Sequence, residues 1–209
     1  MPKYTITDLL PLPNTATQIP RLGFGVYRSP NTQCVQSCLR ALQAGYRHID
    51  TAQFYANEEQ VGTAIQQSGL PRSQIFATTK VLSPAGSAEA TYNKLLASVE
   101  KVGGPGGYVD LFLIHSSGSG VAGRRILWEA LERLWEEGRT RSIGVSNFGV
   151  GHIEELKGFA KVWPPHVNQI EVCHYCPVSQ DVLVLMIVAP SLVPTTRYRR
   201  ILQKARYRG

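Results

Sequence analysis

Tyr46-Arg47-His48-Ile49 reads as a short strand running into Asp50, and beyond it Val61, Ala64 and Ile65 fall on one helical face. The same unit recurs on both sides. Upstream, Leu22 to Val26 is strand-like and precedes a helix marked by Val35, Cys38, Leu39 and Leu42. Downstream come strand-like runs at Ile75 to Thr78, Leu111 to Ile114, Ser142 to Val145 and Val167 to Val172. Between them lie stripes at Leu95, Val99 and Val102, at Leu127, Ala130, Leu131 and Leu134, and at Ile153, Leu156 and Ala160. Alternation of this kind implies a parallel sheet covered by helices.

What ends each strand is more informative. The runs close on Asp50, Lys80, His115 and Ser146-Asn147, and the sixth contains Gln169 and Glu171. Asp50, Lys80, His115, Ser146 and Glu171 follow one another at 30, 35, 31 and 25 residues, about the length of one βα unit. In a (β/α)8 TIM barrel the C-terminal strand ends converge on one mouth, where the reacting side chains sit. A doubly wound open sheet would gather its polar groups mainly around a switch point instead.

Composition narrows the classes. The 209 residues, 43% hydrophobic and 18% charged, suffice for one sizeable core. The longest apolar run, Val182 to Ala189, has eight residues, against about 20 for a membrane span. The first eight residues hold one Lys, an acid at Asp8 and no apolar run, so no secretory leader is expected and the compartment reads as cytoplasmic. A net charge of +7 suggests nucleic acid until it is located: Arg197, Arg199, Arg200, Lys204, Arg206 and Arg208 follow residue 182 with no acid among them, and residues 1–181 carry only +1. Neither a nucleic-acid nor a membrane partner is expected. Cys34 and Cys38 fall on one helix, and Cys173-His174-Tyr175-Cys176 has no second pair to complete a zinc site, so ordinary thiols and no metal are expected. Gly103 to Gly107 precedes a strand, where phosphate loops precede a helix, and reads as a flexible connection. His48 and Glu58 read as structural, the latter at a helix N-terminus.

Gly45-Tyr46-Arg47-His48-Ile49-Asp50-Thr51-Ala52-Gln53-Phe54-Tyr55-Ala56-Asn57-Glu58-Glu59-Gln60-Val61-Gly62 resembles the first signature of the aldo/keto reductase superfamily, and Arg141-Ser142-Ile143-Gly144-Val145-Ser146-Asn147-Phe148 its second. With Leu22-Gly23-Phe24-Gly25, Thr79-Lys80, Leu113-Ile114-His115 and Asn168-Gln169-Ile170-Glu171, the resemblance covers residues 20 to about 177. It implies a TIM barrel that reduces aldehydes or ketones by hydride transfer from NADPH, with NADH as the other candidate. The implied tetrad is Tyr55 as proton donor, Lys80 and Asp50 in support, and His115 on the substrate oxygen. The implied cofactor residues are Gly23, Gly25, Asp50, Ser146, Asn147, Gln169 and, in the tail, Arg200. The chemistry asks for these types. An alkoxide needs a proton, a Tyr with an ordinary pKa of about 10 is a weak acid, and a neighbouring ammonium eases its release. The alternative is a catalytically weak or inactive nucleotide-binding barrel serving as a regulatory or binding subunit.

After residue 172 only 37 residues remain, too few for two further βα units and an extension. The barrel is therefore expected to be incomplete after strand six, with residues 1–177 forming the barrel part and 178–209 a divergent basic tail. Gln180 to Leu185 resembles the family's seventh helix, and Val193 to Thr196 with Arg200-Ile201 its eighth strand and following helix, as after an internal deletion. The other account ends the resemblance near Pro177 and takes the rest as retained-intron or frame-shifted sequence. Either way an unpaired edge beside Val167 to Val172 is expected, and with it self-association.

Overall fold

The structure, a computed structural model, describes residues 5–171 and the strand at 185–188. The basic tail with Arg200, the Cys173/Cys176 pair and the boundary at residue 177 lie outside the described residues. The chain enters through a hairpin, β1 (Leu9–Pro11) and β2 (Gln18–Pro20). Alternation then begins with β3 (Phe24–Gly25), α1 (Asn31–Gln43), β4 (His48–Asp50), α2 (Glu58–Gln67), β5 (Phe76–Val81) and α3 (Ala88–Gly103). It continues through β6 (Leu111–Ile114), α4 (Gly120–Glu136), β7 (Ile143–Ser146), α5 (Val150–Leu156), β8 (Val167–Glu171) and β9 (Leu185–Val188).

Strands β3 to β9 lie side by side in chain order, with no crossover that would mark a doubly wound sheet. From β3 to β8 the pairing is parallel throughout. This is the (β/α) barrel class expected from the strand ends, built from six parallel units.

Each sheet face has its own core. Outward residues Ile49, Ala77, Phe112, Ile114, Ile143 and Val145 meet the helix stripes, among them Cys34, Cys38, Val61, Leu95, Leu127 and Leu131. Inward residues Phe76, Leu111, Leu113 and Val167 meet Leu12 and Ile19, so the hairpin plugs the N-terminal end of the sheet. Strands buried on both faces have no polar side to show, which is why β6 reads Leu-Phe-Leu-Ile without alternation. Each such side chain contributes about 1.5–3 kcal/mol. Gly144 is the narrow point of this interior: a Cβ there would meet the Val167 carbonyl oxygen at 2.4 Å and Leu113 Cδ2 at 2.9 Å.

Several expectations are corrected. The edge beside β8 is not unpaired, because β9 lies antiparallel along it with Gln169 opposite Ile187. That direction also excludes β9 as a seventh barrel strand. Of the helix expected over Gln180 to Leu185, only Leu185 is described, and it opens a strand. Ala160 falls beyond α5, which ends at Leu156. The glycine run after α3 is a tight turn, not a slack connection: Gly104 and Gly106 take φ of +81° and +69°, and Gly107 donates from its amide to the Gly104 carbonyl at 3.0 Å. Cys34 and Cys38 are buried free thiols one turn apart on α1, and the hydrogen bond with Cys34, with burial added, pushes the Cys38 thiol up.

Candidate active site

Because side chains alternate along a strand, Asp50, Lys80, Ser146 and Gln169 all project to the inner face at the C-terminal end of the sheet. His115 follows β6 directly and joins them. One layer below lie His48 and Thr78, joined by a 2.8 Å bond between His48 Nε2 and Thr78 Oγ1.

Lys80 is the centre of the cluster and is only 1% exposed. Its Nζ donates to Asp50 Oδ1 at 2.5 Å, to the Thr51 carbonyl at 3.0 Å and to Tyr55 Oη at 3.4 Å. The other Asp50 oxygen, Oδ2, accepts from Gln169 Nε2 at 2.9 Å. Tyr55 comes not from a strand but from a single 3-10 turn, Gln53–Tyr55, in the β4–α2 loop. The turn closes on Ala56, held at φ +56° in the left-handed region. Thr51 donates to Asn57 Oδ1 at 2.7 Å, and Asn57 Nδ2 donates to the Val26 carbonyl at 2.9 Å, so the loop is stitched to the end of β3. The His115 ring stands edge-on to Tyr55, with centroids 5.6 Å apart.

Burial holds the Lys80 ammonium below its ordinary range, opposed by the attraction and hydrogen bond of Asp50. Burial, with the Lys80 charge added, takes His115 down to about 4, so at neutral pH it is an uncharged imidazole that carries one N–H. Among the described residues its Nδ1 has no partner.

The four tetrad residues are thus brought together. Of the other positions singled out in the sequence, Ser146 and Asn147 reach the mouth: Asn147, at φ +55°, donates from Nδ2 to Ser146 Oγ at 3.3 Å and to the His115 carbonyl at 3.5 Å. Gly25 ends β3 with open space where a Cβ would stand. Gly23 has a packing reason of its own, since a Cβ would meet His48 Nδ1 at 2.7 Å. Arg200 lies outside the described residues. Sequence reading passed over Tyr27, whose ring lies 4.9 Å from that of Tyr55, and Phe54, 62% exposed and 6.4 Å from the His115 ring. Tyr27 follows the first strand end by two residues, and that rim position was its signal.

A separate cavity of about 810 Å³ opens at the opposite end, lined by Arg47, Phe76, Asp110 and Arg141 among others. Its charged groups are engaged in the fold. Arg47 donates to the Leu42 and Tyr46 carbonyls, and Asp110 accepts from both Arg72 and Arg141. The Asp50, Tyr55, Lys80 and His115 cluster lies at the other mouth. Among the described residues no helix is long and apolar enough to cross a membrane.

Comparison with known proteins agrees with this geometry. Residues 21–189 match the model of the aldo/keto reductase family. The glyoxal reductase of Bacillus subtilis is 39% identical over 168 residues, covering 80% of this chain and 59% of that one. The crystal structure of an aldo/keto reductase from Brucella melitensis superposes with a TM-score of 0.73 at 42% identity, covering 79% of this chain and 63% of that one. That of a Bombyx mori aldo-keto reductase in complex with NADP gives 0.71 at 31%, covering 81% and 59%. The chain spans somewhat under two thirds of the length of these relatives. The match over residues 21–189, together with the strand order and the assembled mouth, shows that the chain belongs to the aldo/keto reductase family.

Proposed function

We propose that this chain reduces aldehydes or ketones to alcohols at the expense of NADPH, with Tyr55 as proton donor. One observation carries the reading: the Tyr55 hydroxyl stands 3.4 Å from the ammonium of a Lys80 that is buried and paired with Asp50. Burying an ion pair costs several kcal/mol per ion before attraction offsets it, so a purely structural strand end has no need of one. The same cost weighs against a role limited to holding nucleotide.

The donor set fits a nicotinamide nucleotide. Gly25 leaves open space at the rim, and Ser146 and Asn147 present polar groups beside the tetrad. Those residues, with Gln169 and Arg200, would hold it. The engagement of Gln169 Nε2 with Asp50 makes Gln169 a support for the tetrad as well. When bound, the nicotinamide supplies the hydride to the carbonyl carbon.

The rest is the work of the chain. His115, uncharged, would donate its N–H to the carbonyl oxygen and orient the substrate, stabilising the charge that develops there. Tyr55 would pass its proton to that oxygen, and Lys80 would steady the phenolate left behind. Asp50 holds Lys80 in place, and the Thr51 carbonyl takes a second of its protons. The relative named glyoxal reductase supports a small aldehyde as the first substrate to try. Free buried thiols at Cys34 and Cys38 suit a reducing compartment, and a cytoplasmic location is part of this reading.

The test is NADPH consumption with glyoxal by the 209-residue chain. Tyr55→Phe should lower kcat by about 100-fold to 10,000-fold while circular dichroism stays unchanged. Equal turnover in the variant would overturn the role of Tyr55, and NADPH bound without consumption would leave the nucleotide-holding role.

A further inference from the structure

Glu58 is the first residue of α2, yet its carboxylate is buried rather than turned to solvent at the helix start. It accepts from Thr79 Oγ1 on Oε1 at 2.5 Å and from Ser98 Oγ on Oε2 at 3.0 Å. Ser98 in turn accepts from Gln53 Nε2 at 2.7 Å, and the same amide donates to the Lys94 carbonyl at 3.2 Å. Gln53 opens the 3-10 turn that ends in Tyr55. Thr79 precedes Lys80 on β5, its side chain on the outer face while that of Lys80 is on the inner one. The turn that carries the phenol and the strand that carries the ammonium therefore both hang on one carboxylate.

We infer that Glu58, acting through Thr79, Ser98 and Gln53, is a positioning residue that sets the distance between Tyr55 Oη and Lys80 Nζ. The inference rests on the proposed reading of Tyr55 and Lys80 for its catalytic meaning, though not for its geometry. The relay has a direction. The Gln53 amide and both hydroxyls donate, and only a group that accepts on two oxygens can end the chain without reversing Ser98. Burial holds the Glu58 carboxyl above its ordinary range, while the Thr79 and Ser98 hydrogen bonds pull it down; Lys101 and Glu59 are the charged groups facing it. An acid kept in such a place at that cost, with both partners on the supports of the reacting pair, has positioning as its return. Glu58 meets Thr79 and Ser98 on the helix side of the sheet, and Gln53 lies in the same turn as Tyr55, so the relay would act through Tyr55 and Lys80.

The variants are Gln53→Ala, which cuts the relay at its half-buried end, and Glu58→Gln, which keeps shape and removes one acceptor. Both should fold, as thermal melts check. Tyrosines labelled with ¹³C at Cζ give one NMR resonance assigned to Tyr55 by its loss in Tyr55→Phe. That resonance should be displaced and broadened in both variants, an outcome that does not depend on turnover. In the NADPH assay kcat should fall by about 10-fold with KM for glyoxal within about twofold, since the loss is in the transition state rather than in binding. Added to Tyr55→Phe, Gln53→Ala should cost nothing further, because the two act through one group. An unmoved Tyr55 resonance in both folded variants would overturn the inference. So would a KM-only effect, or losses that add in the double variant. A shifted resonance in a chain with no turnover would retain the positioning role and reject the reductase reading.

Discussion

Gln169 Nε2 donates to Asp50 Oδ2 at 2.9 Å, joining β8 to β4 across 119 residues of sequence. Three strands lie between them in the sheet. In a flat sheet, at about 4.8 Å per strand, the two would stand roughly 19 Å apart. The bond therefore measures the curl of the sheet, and it shows that six parallel units already bend far enough to bring the mouth together.

Removing that bond should be felt as stability. Gln169→Ala leaves Asp50 Oδ2 buried without its donor, a loss of about 1–3 kcal/mol. Urea unfolding followed by circular dichroism should show the midpoint fall with little change in slope; an unchanged midpoint would mean that solvent replaces the amide.

Lys80 and Asp50 should behave as one unit. Lys80→Met strands a buried carboxylate and should cost about 3–5 kcal/mol, whereas Lys80→Met with Asp50→Asn removes both charges and should recover much of that loss. A double-mutant cycle by urea unfolding reads the coupling. Additive losses would argue that the 2.5 Å contact contributes little.

Acid should unfold the protein partly through its histidines. His48 and His166 are held by burial at about 4, below the ordinary 6.5. A depressed folded pKa means that the unfolded chain takes up the proton first. The stability linked to neutral histidine is then full above pH 6.5 and is lost as pH falls towards about 4, reaching about 3 kcal/mol for fully buried His48. Glu58 and Asp110, held above their ordinary range by burial, act in the opposite sense, so their contribution is lost as pH rises. The clean measurement is the Tm of the wild type minus that of His48→Asn between pH 8 and pH 4. The difference should shrink or reverse on acidification; a constant difference would show that His48 keeps its ordinary pKa.

Gly144→Ala should be among the more damaging single-methyl additions. The new Cβ would press on the Val167 backbone oxygen, which cannot rotate away as a side chain can. A cost of about 1–3 kcal/mol is expected, read as a lowered Tm. An unchanged Tm would mean that β7 and β8 can separate locally.

Self-association should run through the sheet ends rather than beside β8, whose edge β9 occupies. In the described sheet those ends are β3 and β9. Light scattering over a concentration series should show growth in mass, suppressed by a charged residue on β3 such as Phe24→Lys. A monomer at all concentrations would show that the ends are covered.

The sequence by itself determined the alternation of strand and helix, the single-wound order and the identity of the polar strand ends. All of these depend on local periodicity and on residue type at fixed spacing. It could not show the β1–β2 hairpin, because Leu9–Pro11 and Gln18–Pro20 are three residues each and gain their burial only against Phe76 and Leu111, far along the chain. The direction of β9 was likewise hidden, since an apolar run such as Val182 to Ala189 fits a strand of either direction and also a helix. Glu58 looked like a helix-start acid because that is its local role, and only packing against β5 and α3 turned it into the anchor of Gln53 and Thr79. The tertiary structure alone decided that Lys80 gives its protons to Asp50, Thr51 and Tyr55 together, for hydrogen bonds between residues 25 to 30 apart exist only once the sheet has curled and water has been excluded.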